Sequence, residues 1–545
     1  MSRSNKPHYT PVPSTIGRRR VLLGATAAAA GSLALVGRPA VAAASPSSAG
    51  GPPWARRDHA HDGGVLGGER PLQLVQAHTI RTVGSPRVDV AAFGAVGDGV
   101  TDDTAALQAA MDSPARGGIV AFEPGRAYRI SDTVVVDVAK VRGIEGNNAR
   151  VVTREDIVCF AVRGSHTGSA NPTNPSARRV TVPEMNPFVR DLRVHGDPLL
   201  RGVGLQVQGT FGLHITGCHL FDLRTGIEVR GTNRNMVIAD NSIWHCLDYG
   251  IWWHRGDVHQ TNVVANHISY CRKVLFIDRA GIYNLQVVGN TIESSSAPDV
   301  VENAVHATSD GGGFLEGFEF IGNSLEDHWS AADAAIRIDG GPAQQGKQIM
   351  VIGNDLGNSR SHDVAISDVA EVVISGNSLD DSEDVSIALS GRLTAVSVTG
   401  NIIRGEPGRG PMGALLVGDD SRATTVDGLV VSGNVADFMR RRPIVIRNAE
   451  VTSSRISDNV LHYEGDEGGY ALDITEGISR LDGVHVSGNT LRGSGSGDGK
   501  AIGVAADDIG LLVAKDNLAS GFGPDAYDLP SADPGAVIVA DNLAS

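Results

Sequence analysis

An asparagine recurs twelve times along the C-terminal two thirds of this chain, each time inside a short run of alternating apolar residues. The residue before it is usually Gly or Asp, as in "MVIADNSI", "LQVVGNTI" and "VHVSGNTL". Successive asparagines are 23 to 33 residues apart. They are Asn241, Asn266, Asn290, Asn323, Asn354, Asn377, Asn401, Asn434, Asn459, Asn489, Asn517 and Asn542. A period of this length is typical of a solenoid, in which each repeat forms one coil.

Each repeat carries a second alternating segment, such as "GIEVRG" or "AIRIDG", and lacks the 3.6-residue periodicity of an amphipathic helix. Such units bury their apolar face only by stacking on one another. The pattern therefore predicts an all-β fold, a parallel β-helix formed by a single strand winding in coils, with equivalent positions about 4.8 Å apart along the axis. We interpret the asparagine column as an internal ladder of hydrogen-bonded amides, with a structural role.

The N-terminus has the composition of an export signal. Arg18, Arg19 and Arg20 precede the apolar run "VLLGATAAAAGSLALVG" and the small residues "PAVAAAS". We predict a twin-arginine-type signal over residues 1–44, a linker rich in Gly, Pro and Ser over 45–87, and a β-helix domain over 88–545. The mature protein is then expected outside the cell, with no partner membrane.

Charge argues against nucleic acid as a partner. The chain has a net charge of -15, and residues 1–44 contain six basic and no acidic side chains, so their removal leaves -21. Binding to phosphates requires a basic surface, which this balance does not favour. A neutral glycan, or an acidic one held in a locally basic groove, remains open. The sequence leaves the oligomeric state undetermined.

Residues 88–131, "VDVAAFGAVGDGVTDDTAALQAAMDS" and the following "GGIVAFEPGRAYRIS", provide a second signature. The segment "TDDTAALQAAM" has an N-cap candidate before an amphipathic run, which predicts a helix that caps the first coil. This stretch resembles the N-terminal signature of the pectate-lyase-like superfamily, which includes rhamnogalacturonases, polysaccharide epimerases and phage tailspikes. The resemblance implies a right-handed β-helix that acts on polysaccharides with its outer face.

The repeat register predicts which side chains point outward. Counting back from each asparagine aligns one inward column, and strand alternation then gives two outward columns. The inward column is Ile227, Ile251, Leu275, Val305 and Ile336. The first outward column is Glu228, Trp252, Phe276, His306 and Arg337. The second outward column is Arg230, His254, Asp278, Thr308 and Asp339.

These columns place aromatic, acidic and basic side chains on one face. Sugar rings stack on exposed aromatic side chains, so a groove across coils 218–340 is the predicted substrate site. The opposite interpretation is that a loop covers and buries these aromatic residues. The predicted substrate-binding residues are Trp252, Phe276, Arg230, Arg337, Trp244 and Trp329.

Two chemistries are open for this groove. Asp278 and Asp339 share a column about two coils, or roughly 10 Å, apart, which suits hydrolysis with inversion because it leaves room for a water. We slightly favour this hydrolysis. In a lyase or epimerase, His254 or His306 would take a proton next to a carboxylate that Arg230 or Arg337 neutralises. Glu228 is a further candidate carboxylate on the same face.

A more local resemblance supplies an alternative. Residues 214–246 look like the central coils of the inulin fructotransferases, secreted β-helix enzymes that release a cyclic difructose. That resemblance implies a catalytic role for Asp240, whereas the position of the family's catalytic Glu is occupied by Trp252. A non-catalytic glycan-binding β-helix is the third possibility.

We predict no metal and no other cofactor. The acidic stretch "LDDSEDVS" at 379–386 raises the question of Ca²⁺, but its spacing matches no dedicated calcium loop, and acidic turns are usually solvated.

The cysteines test the register. Cys246 and Cys271 both follow their repeat asparagines by five positions, so they are expected to stack at a distance that a disulfide could bridge. A bridge and a pair of buried thiols both remain open. Cys159 and Cys218 are predicted to be unbridged and buried.

Overall fold

The architecture is known from a computed structural model of the chain. It describes residues 86–114, 117–168, 184–196, 201–293, 303–309, 312–326, 333–341, 346–405, 410–465, 469–495, 499–523, 525–532 and 535–545. All of these residues belong to one compact unit. The predicted signal, almost all of the predicted linker, and Trp329 lie outside the described residues. Among the described helices, none has the length and apolar character needed to cross a membrane.

The described chain is almost entirely β-strand. Up to the first repeat asparagine the strands are Arg87–Asp89, Asp98–Asp102, Gly118–Ala121, Ala127–Ile130, Val134–Asp137, Val141–Glu145, Arg150–Thr153, Val158–Arg163, Phe188–Arg190, Arg193–His195, Val203–Gln208, His214–Thr216, His219–Arg234 and Val237–Ala239. The next strands are Ser242–Val264, His267–Ser269, Lys273–Asp278, Gly281–Val288, Thr291–Glu293, Val305–Thr308, Phe314–Ile321, Ser324–Glu326, Ala334–Asp339, Gly346–Ile352, Asp355–Gly357, His362–Ser375, Ser378–Asp380, Val385–Thr399 and Ile402–Arg404. The last are Gly413–Val417, Thr424–Ser432, Val435–Met439, Ile444–Arg447, Ala449–Thr452, Arg455–Ser457, Val460–Tyr463, Gly469–Glu476, Arg480–Ser487, Thr490–Gly493, Gly499–Val504, Ile509–Lys515, Leu518–Ser520, Tyr527–Asp528, Val537–Ala540 and Leu543–Ala544.

These strands wind into a right-handed parallel solenoid of about 15 turns, which confirms the predicted all-β fold. Every strand pairs in parallel with the equivalent strand of the next coil, so the solenoid has three long faces. We call the face that contains Val134–Asp137 and Lys273–Asp278 the first sheet. The second sheet contains Val237–Ala239, and the third contains His267–Ser269.

The inward column of the first sheet forms part of one continuous core. Ile227, Ile251, Leu275, Val305 and Ile336 are each at most 1% exposed. They pair with one another in register from coil to coil, as predicted. Burial of an aliphatic side chain of this size contributes about 1.5–3 kcal/mol, so the stacked interior supplies the main stabilisation of the coils.

The repeat asparagines form the predicted ladder. The Nδ2 group of Asn241 donates to Oδ1 of Asn266 at 2.9 Å and to the carbonyl oxygen of Ile215 at 2.9 Å. The backbone N–H of Asn241 donates to the same Oδ1 at 3.0 Å. The same pattern continues to Asn542 at the last coil. Because these amides are buried and bonded to each other, the ladder is structural, as expected.

The residue before each asparagine adopts a left-handed conformation. Asp240 has φ 55°, Ala265 has φ 54°, and Gly289 has φ 62°. Glycine enters this region without steric cost, and Asp tolerates it better than most residues. This requirement explains why the repeat reads Gly-Asn or Asp-Asn in most coils.

One α-helix, α1 (Thr104–Asp112), lies near the N-terminal end, after the 3₁₀ turn Val90–Phe93. Leu107 and Met111 of α1 are buried in the core. Asp103 precedes α1, but its carboxylate accepts the backbone N–H groups of Val96 and Gly97 rather than those of the helix. The helix is therefore where the sequence predicts it, and its role as a cap on the first coil stays a prediction.

The cysteines confirm the register. Cys246 and Cys271 are both buried on the inside of successive coils, where their thiols donate to the backbone carbonyl oxygens of Trp244 and Ser269. The neighbouring Cys271 thiol, together with burial, raises the pKa of Cys246 well above its usual value. All four cysteines are free thiols, so of the two open possibilities the structure has the buried pair.

Candidate functional site

The two outward columns of the first sheet are paired as the repeat register predicts. Glu228, Trp252, Phe276, His306 and Arg337 are successive partners in one column. Arg230, His254, Asp278, Thr308 and Asp339 are successive partners in the other. We call this surface, from Glu228 to Asp339, the groove face.

The aromatic side chains of the groove face pack against each other. The Tyr249 ring lies 4.8 Å from Trp252 and 5.1 Å from Phe276, and the ring of Phe276 lies 5.3 Å from that of His306. Trp252 and Phe276 are consequently half-buried. The indole Nε1 of Trp252 is buried and has no hydrogen-bond partner within the described parts of the chain. The cluster thus offers ring edges and partial faces rather than a flat platform. Tyr249 was not predicted as a site residue, although its place in "YGIWW" puts it near the same column.

His254 and Asp278 form a close pair. The Nδ1 atom of His254 lies 3.0 Å from Oδ2 of Asp278, and Arg279 binds both oxygens of the same carboxylate at 2.8–3.1 Å. Partial burial raises the pKa of Asp278, but Arg279 and then His254 outweigh it and hold the pKa below its usual value. Burial lowers the pKa of His254 despite the opposing effect of Asp278.

These pKa directions assign the protons of the pair. Asp278 is ionised and accepts a hydrogen bond, so a neutral His254 carries its proton on Nδ1. Its Nε2 atom then presents a lone pair. A histidine oriented by a carboxylate in this way is suited to accept a proton from a substrate.

A second pair involves His306 and Asp339. The Nε2 atom of His306 lies 3.7 Å from Oδ2 of Asp339, which also accepts bonds from Arg337 and Ser367. Burial raises the pKa of Asp339, but these three partners outweigh it and hold the pKa far below the usual range. On the other side of the ring, Nζ of Lys273 lies 2.9 Å from Nδ1 of His306. Because an ammonium group only donates, Nδ1 accepts this bond and is not available as a base.

Glu228 and Arg230 lie at the N-terminal end of the groove face. Glu228 is only 6% exposed and accepts a 2.6 Å hydrogen bond from Gln206. Its other oxygen lies 3.5 Å from Nε of Arg230. Both carboxylate oxygens of Glu228 are therefore close to neighbouring side chains. The half-exposed Arg230 lies one coil before His254, and its charge is on the same face.

Two predicted site residues lie on other parts of the coil. Asp240 occupies the left-handed turn between the second and third sheets. Trp244 is on the third sheet, where it stacks on Phe221 at 5.2 Å and is 39% exposed. The physical reason is that Ser242–Val264 bends between Trp244 and Tyr249 and again at Arg255, so one strand contributes to all three sheets. The structure does not bring Asp240 and Trp244 to the groove face.

A cavity that the sequence did not predict lies on the C-terminal coils of the same sheet. It has a volume of about 800 Å³, and its floor continues the first outward column through Ala365, Ala388, Leu416 and Val445. Six arginines line it: Arg337, Arg360, Arg440, Arg441, Arg442 and Arg447. Two sequence features contribute to this cavity, namely the small residues in the column and the run "MRRRP". The two-residue alternation of the strands does not show that these features lie close together. We call this feature the arginine cavity.

The acidic stretch at 379–386 contributes Glu383 and Asp384 to the rim of this cavity. In the described part of the chain, no group of three or more His, Cys, Asp or Glu side chains is arranged to hold a metal ion.

Two family models match the chain. Residues 87–149 match the model described as rhamnogalacturonase A/epimerase, pectate lyase-like, and residues 186–325 match the right-handed β-helix region. The chain is a right-handed parallel β-helix, and over these two segments it is similar to pectate-lyase-like proteins. The two matched segments include the α1 region and the N-terminal part of the groove face.

Solved structures with similarity to this β-helix have low sequence identity. Tailspike protein 3 of bacteriophage CBA120 is 14% identical with a TM-score of 0.43, and the match covers 64% of this chain and 57% of that one. The tailspike protein of E. coli bacteriophage HK620, in complex with a hexasaccharide, is 13% identical over 75% of each chain, with a TM-score of 0.44. The GH87 α-1,3-glucanase of Streptomyces thermodiastaticus is 14% identical over 85% of this chain and 69% of that one, with a TM-score of 0.31. No curated protein matches this chain.

Proposed function

We propose that this β-helix is a secreted enzyme that cleaves glycosidic bonds of a polysaccharide bound along the groove face. The observation that carries the proposal is the juxtaposition of the His254–Asp278 pair with the aromatic cluster around Trp252. The ring of His254 lies 4.2 Å from that of Trp252, so a sugar that contacts the indole is within reach of the imidazole. Secretion is inferred from the arginine-led signal at the N-terminus.

The aromatic cluster is suited to hold a sugar ring. Trp252 and Phe276 present apolar ring atoms on the outside of a sheet, where C–H faces of a sugar can pack against them. Arg230, Lys273 and Arg279 surround this cluster on neighbouring coils and supply hydrogen-bond donors for hydroxyl or carboxylate oxygens.

The proton assignments favour elimination. Nε2 of His254 would take the proton from the carbon next to a sugar carboxylate, and a C=C bond would form to the neighbouring carbon as its glycosidic C–O bond breaks. The imidazolium would then return this proton to the departing oxygen, so that the base is restored and no water is consumed. Arg230, one coil away, is the cation that would neutralise the sugar carboxylate. Under this proposal Asp278 does not contact the reacting atoms and acts by orienting His254.

Inverting hydrolysis is the second candidate, because Asp278 and Asp339 lie two coils apart on one column, about 10 Å by the spacing of paired strands. Hydrolysis requires one carboxyl to be protonated, and the pKa values of both are lowered. The cyclising transfer of inulin fructotransferases receives no support, because Asp240 lies on a different corner of the coil.

The test is incubation of the purified protein with a panel of neutral and acidic polysaccharides. We expect absorbance from unsaturated sugars, and we expect His254→Gln to abolish it. His259→Gln is the matched control, since His259 forms a similar pair with Asp257, at 3.1 Å, beyond the bend at Arg255.

The remaining outcomes distinguish hydrolysis from glycan binding without cleavage. New reducing ends without unsaturation, lost equally in Asp278→Asn and Asp339→Asn, would establish hydrolysis. Binding of a glycan without any product would refute the enzyme proposal and support a glycan-binding β-helix.

A further inference from the structure

We propose that the arginine cavity is a second glycan-binding site, which holds an acidic sugar of the same polysaccharide several coils away from the cleavage site. The inference rests on the proposed function, in that it takes the ligand to be a glycan. It adds that the substrate binds at a second location, that it carries negative charge there, and that it must be long enough to reach both sites.

The cavity exists because the side chains of the first outward column become smaller after the groove face. The groove face carries Trp252, Phe276 and His306 in this column, and the next coils carry Ala365 and Ala388. The neighbouring column changes likewise, from Asp339 to Ser367 and Ser390. Small floor residues between long arginine side chains leave a depression of about 800 Å³, within the size range of ligand sites.

The two walls of the cavity differ in charge. The wall formed by the turns before the strands contains Arg360, Arg440, Arg441 and Arg442 against two carboxylates, Glu383 and Asp384. The wall at the ends of the strands contains Arg337 and Arg447 with Asp419, Asp420 and Glu476. Arg442 is already paired with Asp473 at 2.8 Å, which leaves three arginines against two carboxylates on this wall. In a chain whose net charge is -15, this local excess favours a ligand with its own negative charge.

Two arginines of the positive wall are poorly compensated. Arg440 donates to the backbone carbonyl oxygens of Gly410 and Glu383, and no carboxylate of the described chain pairs with it. Arg360 is 57% exposed, and its Nε atom is 4.0 Å from the carboxylate of Glu383. Guanidinium groups in this situation bind carboxylates in a bidentate manner.

The floor distinguishes a sugar acid from a simple anion. Leu416, Val445 and Met412 expose apolar atoms between the charged walls. Such a floor does not stabilise an inorganic ion, whereas it fits the C–H face of a sugar ring whose carboxylate faces the arginines.

The cavity adjoins the C-terminal end of the groove face. Ser367, which lines the cavity, donates a hydrogen bond to Asp339, and Arg337 contacts both regions. From Asp278 to Ser390 the column advances four coils, about 19 Å at the spacing of paired strands. A glycan must span this distance to occupy both sites, so short substrates are bound by only one of them.

The experiment measures binding and cleavage of short and long oligouronates, alongside the same oligosaccharides after reduction of their carboxyl groups. We expect the double variant Arg360→Gln, Arg440→Gln to weaken calorimetric binding of long oligouronates about tenfold. We expect its KM for long chains to rise equally, with kcat and the KM for short chains unchanged. The matched control is Arg404→Gln, because Arg404 is 56% exposed with one ion pair, at 3.8 Å, on the third sheet.

Calorimetry separates this inference from the proposed function. Charge-selective binding that depends on Arg360 and Arg440, without cleavage of any glycan, would refute the enzyme and retain the second site. Equal loss of binding to acidic and neutral oligosaccharides, or an unchanged affinity for long oligouronates, would overturn the second site even if cleavage is observed. Thermal unfolding of the double variant at the wild-type temperature excludes misfolding as the cause.

Discussion

His254 donates from Nδ1 to Asp278 across 3.0 Å, while Arg279 fixes both oxygens of that carboxylate. The three side chains therefore define the tautomer of the imidazole before any substrate binds. Under the proposed function, Asp278 would act by keeping the proton of His254 on Nδ1, which leaves a lone pair on Nε2.

The first prediction follows from this pair. Asp278→Asn should lower kcat by about 10²-fold or more with a small effect on KM, because the amide no longer fixes the tautomer. Loss of the carboxylate should also lower the pKa of His254, since Asp278 opposes its burial. The acidic limb of the pH–kcat profile should move to lower pH. A profile that keeps its shape and height would show that the pair takes no part in the reaction.

Trp252 provides the second prediction. Trp252→Ala should raise KM about tenfold and leave kcat within a few-fold, because a stacking contact holds the ground state and the transition state alike. Trp244→Ala, on the third sheet, is the control and should leave both constants unchanged. A selective fall in kcat would instead give Trp252 a role in placing the reacting sugar.

The third prediction concerns a buried carboxyl group inside the solenoid. Burial raises the pKa of Asp363 to about 7, although the hydroxyl groups of Ser359, Ser382 and Ser386 oppose the shift. A carboxyl whose folded pKa is above its unfolded value costs stability as the pH rises from about 4 to 7, because only the unfolded chain ionises freely. Asp363→Asn should therefore increase the free energy of unfolding at pH 8 by roughly 2–4 kcal/mol.

At pH 4 the same substitution should have little effect on urea unfolding. Asp427→Asn, at an exposed position of the second sheet, serves as the control and should change stability at neither pH. Equal effects of Asp363→Asn at both values would mean that Asp363 does not titrate in this window.

The fourth prediction tests the asparagine ladder. Asn354→Ala would leave the buried N–H groups of Asn323 without their acceptor and the carbonyl of Phe320 without its donor. Each unsatisfied buried group costs about 1–3 kcal/mol, so the urea midpoint should fall strongly. Asn542→Ala, at the partly exposed last rung, should have a smaller effect. Similar losses at both positions would argue against burial as the source of the ladder's strength.

The sequence predicts what depends on strand alternation and fails where the chain turns a corner. The columns from Ile227 to Ile336 and from Arg230 to Asp339 follow from a two-residue period tied to a fixed asparagine. Trp244 was assigned to the groove because the sequence does not show that its strand bends before Tyr249. The arginine cavity was missed for a related reason: Arg360 and Arg440 are far apart in sequence and line one cavity only because four coils are stacked.

The asparagine ladder holds the coils together at one corner, between the second and third sheets. The chain takes 23 to 33 residues to pass from one rung to the next. These differences in length arise at the other corners, where the chain can gain or lose residues without displacing a rung. Loops that border the groove face and the arginine cavity can thus be exchanged while the scaffold keeps its register. Replacing a single loop, with all rungs intact, offers a way to alter the ligand preference of the proposed sites without rebuilding the core.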